Sequence, residues 1–238
     1  GVGRLILVDG DKVQTTNRNR QLPALCSTQG RFKVRVMAER LRDINPVVSL
    51  DCFPFFLEEE EPEDLLYGRN RYCSHKAGQV NGRIPAGDDR KEVYKSELSG
   101  QSMPICDFVV DAIDSLGPKA ALIRSCLEHS IPLVSSMGAG AKLDPSQIST
   151  CDISKTHHCA LARALRHRLG AFGIRKGFPV VFSSEQAASK AKSSEAEPTV
   201  KVVPGTISYL PAAFACHLAA YTIKYLISEK ISSKSLPD

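Results

Sequence analysis

The sequence has no closely paired cysteines. Its eight thiols stand at positions 26, 52, 73, 106, 126, 151, 159 and 216, and no two form a C-x-x-C unit. A structural zinc site normally closes its tetrahedron with such pairs, so the spacing argues against one. A secretory segment is also missing from the start, and thiols sit in apolar stretches such as Ile105-Cys106-Asp107-Phe108. They read as reduced core residues of an intracellular protein. No apolar run is long and clean enough for a bilayer: Leu210 to Ile227 has Pro211 near its front and is interrupted by His217 and Lys224. Spanning takes about 20 predominantly apolar residues, so this run is expected to be a buried helix. A complete phosphate-binding glycine loop is lacking too. Gly1-Val2-Gly3 begins like G-x-G-x-x-G, but Ile6 stands at the third glycine position and the stretch leads into a strand. The geometry in which backbone amides cradle phosphate needs a strand before the loop and a helix after it.

What is present is ordinary for a globular protein: 238 residues, 42% hydrophobic and 24% charged, enough for one large domain or two small ones. The 31 Lys+Arg against 26 Asp+Glu give +5, which suits an anionic ligand or nucleic acid without demanding either.

Arg4 to Val8 is an apolar strand that stops at Asp9-Gly10-Asp11, as a buried parallel strand does at its carboxyl end. Val34, Met37, Ala38, Leu41 and Ile44 recur at helical spacing until Asn45-Pro46 ends the helix. Further strands are expected at Val47 to Phe53, Cys106 to Asp111, Ile131 to Ser135 and Phe178 to Phe182, with helices around Ala121 to Leu127 and Ala160 to Leu169. This alternation predicts an α/β fold with a largely parallel sheet flanked by helices. The acidic cluster Glu58 to Glu61, Glu63 and Asp64 reads as a solvated helix face or loop. Residues 67–104 read as an exposed polar insertion and Ser183 to Pro198 as a low-complexity loop. The expected organisation is a nucleotide-binding part over 1–135 and a part over 136–238 that completes the sheet and the substrate side.

Candidate chemistry gathers at the carboxyl ends of the strands, the edge where open α/β sheets bind ligands. Asp9 stands where a carboxylate would accept from ribose hydroxyls, although an acidic strand end alone is a weak sign. Asn17-Arg18-Asn19-Arg20-Gln21 sets amides and guanidiniums in one loop, and arginine there can fork onto phosphate oxygens. Gly30-Arg31-Phe32-Lys33 opens the first helix, where free amides and the dipole favour an anion and Lys33 adds a point charge. Asp114 lies just past the third strand, where a carboxylate can hold magnesium against phosphate oxygens; Asp111 reads as a brace for that turn. Arg163, Arg166, Arg168, Arg175 and Lys176 form a basic group in the second half, with Arg163 and Arg166 sharing a helix face; a phosphate backbone or plain solvation both account for it. His157 and His158 are adjacent, so their side chains diverge and a shared metal is not expected.

The ordered set Val8-Asp9-Gly10-Asp11, Asn17 to Gln21, Gly30 to Lys33 and Asp111-Ala112-Ile113-Asp114-Ser115 resembles the ubiquitin-activating-enzyme-like adenylating enzymes. Within that family, Met37 to Pro46, Asp111 to Leu122, Gly138 to Pro145 and Asp152 to Thr156 look like the branch that dehydrates threonylcarbamoyladenosine in tRNA. The resemblance implies a Rossmann-like fold whose first strand and glycine-rich loop are missing here, an expectation in keeping with the absent initiating methionine. It implies ATP and Mg2+ as cofactors, with Asp9, Asp11, Asn17, Arg20, Gln21, Lys33 and Asp114 at the nucleotide, Arg20, Lys33 and Asp114 in catalysis and Asp114 on the metal. It further implies a tRNA substrate, a homodimer, and a cytoplasmic or mitochondrion-associated place. The competing expectation is an activator of a ubiquitin-like or sulfur-carrier protein, with Cys151 or Cys159 taking a thioester; a third is a scaffold that kept the fold without the phosphate loop.

Overall fold

The computed structural model describes residues 2–60, 62–67, 105–186 and 205–234. The insertion expected over 67–104 and the end of the loop expected over Ser183 to Pro198 lie outside them, apart from Tyr67 and the stretch up to residue 186. The chain forms two compact units, Gly1–Asp107 and Phe108–Asp238, a division earlier than the 135/136 boundary expected from sequence.

In the first unit, β1 (Arg4–Val8) and β2 (Ser49–Phe53) pair in parallel, from Arg4 opposite Ser49 to Val8 opposite Phe53. The connection carries α1 (Lys33–Ile44), whose Val34 and Ala38 are buried with Cys52 against Leu7 and Leu50. Asn45 closes the helix with its amide on the Leu41 carbonyl, 2.9 Å away, and Pro46 prevents another turn. The long loop before α1 has a small core of its own, Val13 and Ala24 against Val36. Its two ends are zipped by Val13 N to Arg31 O at 2.8 Å and Gly30 N to Val13 O at 2.9 Å, with Gly30 at φ +81° supplying the left-handed turn. Gly10 is required for a different reason: a Cβ there would lie 2.6 Å from the Phe56 ring. Asp64, on the short helix α2 (Pro62–Leu66), is buried, not solvated as its acidic neighbourhood suggested.

In the second unit the strand order is β3 (Val109–Asp111), β4 (Leu133–Ser136), β6 (Pro179–Ser183), β5 (Ile148–Asp152). β3, β4 and β6 are parallel; β5 runs antiparallel to β6, from Ile148 opposite Ser183 to Asp152 opposite Pro179. The helices are α3 (Leu116–Glu128), α4 (Ala160–Gly170) and α5 (Tyr209–Lys234). Val134, Ile148, Val181, Leu210, Phe214 and Leu218 form the core between the sheet and α5. The expectation that α5 is a buried helix holds on one side only. Leu210, Phe214 and Leu218 recur every fourth residue and pack down, whereas Ile223 and Ile227 are about half exposed. Residues Tyr209–Glu229 are long and apolar enough to cross a membrane by length and composition, and 17% of an 18-residue window within them is buried.

One knot joins distant parts of this unit. Ala141 donates its amide to the Gly205 carbonyl at 2.9 Å, and the buried Lys142 ammonium donates to the carbonyls of Ser183 (2.5 Å) and Glu185 (2.9 Å). The Glu185 carboxylate accepts the amides of Leu143 and Asp144. Burial pulls the Lys142 pKa below its ordinary value, with Cys159 and Glu185 pulling the other way.

Candidate functional site

At the carboxyl end of β1 the Asp9 amide still bonds the Phe53 carbonyl of β2 at 3.1 Å, which fixes the point where the chain leaves the sheet. Asp9 Oδ1 then accepts the Asp11 amide at 2.7 Å and shapes the turn. Asp11 Oδ2 lies 2.6 Å from Lys33 Nζ, and the Asp11 carbonyl accepts the Lys33 amide at 3.0 Å. Lys33 opens α1 but is not a solvated cation there, and its amide is already used. Its side chain is 11% exposed while that of Asp11 is 48% exposed, so the pair is reachable from the carboxylate side.

Asn17 is buried and its Oδ1 accepts the Gln14 amide at 3.1 Å, closing the turn Thr15–Asn17. The Asn17 carbonyl in turn accepts the amides of Arg20 (3.1 Å) and Gln21 (3.0 Å), so these three expected site residues share one turn. Arg20 Nη1 donates to the Thr16 carbonyl and to Asn19 Oδ1, both at 3.0 Å, which holds the guanidinium along the loop. The neighbouring arginines are engaged elsewhere: Arg18 donates to Gln29 and Arg31 pairs with Glu39.

Asp114 belongs to the second unit, past the carboxyl end of β3, and the other six expected residues belong to the first unit. It is exposed, and the Ser115 hydroxyl donates to its Oδ1 at 3.3 Å. The turn that carries it is held from inside. Asp111 Oδ1 accepts the Ile113 amide at 2.9 Å; Oδ2 accepts the Ser135 hydroxyl at 2.6 Å and pairs with Lys119 Nζ at 2.7 Å. Lys119 also donates to the Ile113 carbonyl at 3.0 Å, and both charged side chains are fully buried. Asp111 thus braces the turn, as its position suggested. Lys119 escaped the sequence reading because a helical lysine is usually solvated; the signal was its place among Ala120, Leu122 and Ile123 on a buried face.

Cys159 is buried, and its Sγ accepts the Ala162 amide at 3.5 Å as the cap of α4. Burial pushes the Cys151 thiol up, Asp152 adds to the shift and Lys155 opposes it. A thiol raised this way carries little thiolate near neutral pH, which disfavours it as an acyl acceptor. His157 stacks edge-on with His158 and with the Phe182 ring, centroids 5.1 and 5.4 Å apart. Among the described residues no group of three or more His, Cys, Asp or Glu is placed to hold a metal.

This order of elements, with acidic residues at the ends of parallel strands, is the one on which a family model aligns almost end to end: the ThiF family model matches residues 1–74 and 78–236. The chain belongs to the ThiF family. A tRNA threonylcarbamoyladenosine dehydratase from Bacillus subtilis is 38% identical over 186 residues, covering 78% of this chain and 59% of that protein. The ATP complex of the Escherichia coli tRNA N6-threonylcarbamoyladenosine dehydratase superimposes with a TM-score of 0.70 at 30% identity, covering 97% of this chain and 78% of that one. The AMP complex of the same enzyme gives 0.70 at 31%, with the same coverage. The ThiF-family chain described here spans about three fifths of the length of the Bacillus subtilis and Escherichia coli relatives and about a third of that of a Saccharomyces cerevisiae one. Its α/β, Rossmann-like architecture is the one expected from sequence.

Proposed function

We propose that this ThiF-family chain belongs to an enzyme that uses ATP to adenylate the free carboxylate of threonylcarbamoyladenosine in tRNA, after which a nucleophile of the same modification displaces AMP and closes a ring. The observation that carries the reading is the Asp9–Asp11–Lys33 array at the carboxyl end of β1. It sets a half-exposed carboxylate against a nearly buried ammonium at the edge where α/β sheets take nucleotides. Relatives named for this dehydration, one of them solved with ATP and with AMP, support it.

In this reading Asp9 and Asp11 take the ribose side, and Asn17, Arg20 and Gln21 present amide and guanidinium donors. A nucleotide phosphate replaces the Asp11 carboxylate as the partner of Lys33, whose charge offsets the anion that builds as the substrate carboxylate attacks the α-phosphate. Asp114 and the Ser115 hydroxyl offer the hard oxygen donors a magnesium ion takes alongside phosphate oxygens; such an ion would supply charge neutralisation. A homodimer and an intracellular place, cytoplasmic or mitochondrion-associated, belong to the same proposal.

The test is AMP formation by the full-length protein with tRNA bearing threonylcarbamoyladenosine. AMP release that depends on that tRNA, and is lost in Lys33→Ala, supports the reading. AMP release that responds instead to the C-terminus of a ubiquitin-fold protein replaces it with the protein-activator alternative.

A further inference from the structure

The sequence between Asp152 and Glu185 contains no acidic residue, yet it carries Lys155, Arg163, Arg166, Arg168, Arg175 and Lys176, more positive charge than the net +5 of the whole chain. The structure sorts these cations. Arg166 is committed inward, its Nη1 donating to the Thr156 carbonyl at 2.9 Å and to the Thr156 hydroxyl. That nitrogen of Arg166 is engaged within the unit. Arg163 and His167, one turn apart on α4, are exposed.

Along the outer side of α4 lies an open hollow of about 700 Å³. Leu116, Ala164, Phe172, Arg163, His167 and Arg168 are among the residues that line it, and no acidic side chain does. Phe172 is 56% exposed, and the Arg124 guanidinium lies 4.8 Å from its ring centroid. Leu116 is two residues from Asp114, so the hollow begins beside the turn assigned above to the reaction. A cation at the end of α4 complements the helix dipole and needs no ligand, which accounts for Arg168. Arg163 stands in the first turn, where the dipole disfavours a cation, and calls for another cause.

We propose that this face of α4, from Arg163 past Phe172 to Lys176, docks the tRNA substrate, with Arg163 on backbone phosphate and an unpaired base laid against Phe172. The proposal rests on the tRNA reading above. An exposed aromatic ring beside guanidiniums is a stacking platform for bases; Glu128, paired with Arg124 at 3.4 Å, stands behind that guanidinium, and the lining of the hollow itself sets no carboxylate against a polyanion.

The experiment measures binding of tRNA bearing threonylcarbamoyladenosine to the full-length protein across a salt series, together with tRNA-dependent AMP formation. Arg163→Glu is expected to weaken tRNA binding about tenfold and Arg163→Gln by less, the latter lowering the salt slope by about one. Phe172→Ala is expected to weaken it roughly tenfold with the salt slope unchanged, and Phe172→Tyr to restore it. In Arg163→Glu, Arg163→Gln and Phe172→Ala the KM for tRNA rises while KM for ATP stays put, and Phe172→Tyr returns both to the unsubstituted values. Wild-type tRNA affinity in both Arg163→Glu and Phe172→Ala overturns the docking face and leaves the function standing. A changed oligomeric state with wild-type tRNA affinity also overturns it, making the hollow a contact between chains, as does a loss of binding to an acidic peptide instead. Absence of tRNA-dependent AMP formation in the unsubstituted protein overturns the underlying function.

Discussion

The two units each contain a short lysine–aspartate pair, and the two pairs do different work. Lys33 and Asp11 meet at 2.6 Å with the carboxylate half exposed; Lys119 and Asp111 meet at 2.7 Å with both side chains fully buried. Contact distance is nearly the same, so it cannot distinguish them. Water access does. The first pair can lose its carboxylate to a competing anion because solvent or ligand takes over the freed Asp11. The second cannot part without stranding a charge where nothing solvates it. Only the first is suited to exchanging partners during a reaction; the second holds a turn in shape.

Replacing either lysine sharpens the contrast. Lys119→Ala leaves Asp111 buried without its cation and is expected to cost about 3–5 kcal/mol of unfolding free energy, read by chemical denaturation. A loss below about 1 kcal/mol would mean the buried pair is no brace. Lys33→Ala is expected to lower AMP formation about 100-fold to 1,000-fold, as the loss of one preorganised donor does. Its stability should change by less than about 1 kcal/mol, because its partner is half exposed. A large stability loss with retained activity would reverse the roles assigned to the two pairs.

A backbone change probes the same loop without touching charge. Gly10→Ala places a methyl 2.6 Å from the Phe56 ring and 2.7 Å from its backbone nitrogen. The displaced turn is expected to cost roughly 1–3 kcal/mol in thermal unfolding and to weaken ATP binding through Asp9 and Asp11. Unchanged nucleotide affinity would detach that turn from the site.

The smallest effect concerns pH. Burial works to raise the Asp152 pKa, but the Ser154 hydroxyl, the amides of Gly177 and Ser154, and Lys155 together outweigh it and leave the carboxyl below its usual range. A carboxyl depressed in the folded state stabilises above its unfolded pKa, and that contribution fades as pH falls through the folded value. Asp152→Asn should therefore flatten the acid limb of stability against pH by about 1 kcal/mol or less, with little dependence left below about pH 4 from this site. An acid limb identical to the unsubstituted protein's would remove Asp152 from that role.

The parallel strands were legible because apolar runs such as Arg4–Val8 and Leu133–Ser136 stop at polar punctuation, and α1 because its apolar residues repeat at helical spacing. β5 was not: only Ile148 among its five residues is buried, so the antiparallel edge strand carries no apolar signature. In the site, the bracing role of Asp111 could be read from its place at a strand end. The Asp11–Lys33 pair spans 22 positions and Lys119–Asp111 depends on α3 packing under β3, so neither follows from local spacing. The nucleotide roles proposed for Asp9, Asn17, Arg20 and Asp114 rest on resemblance, because a carboxylate or amide in a loop looks the same whether it binds ATP or only shapes a turn.

The knot around Lys142 has a mechanical consequence. Ala141 grips Gly205 and Lys142 grips Glu185, so adjacent residues anchor both stations between which the chain runs from 185 to 205. One short stretch of chain therefore holds residues 185 and 205 together, so a shift of that stretch would carry both stations with it.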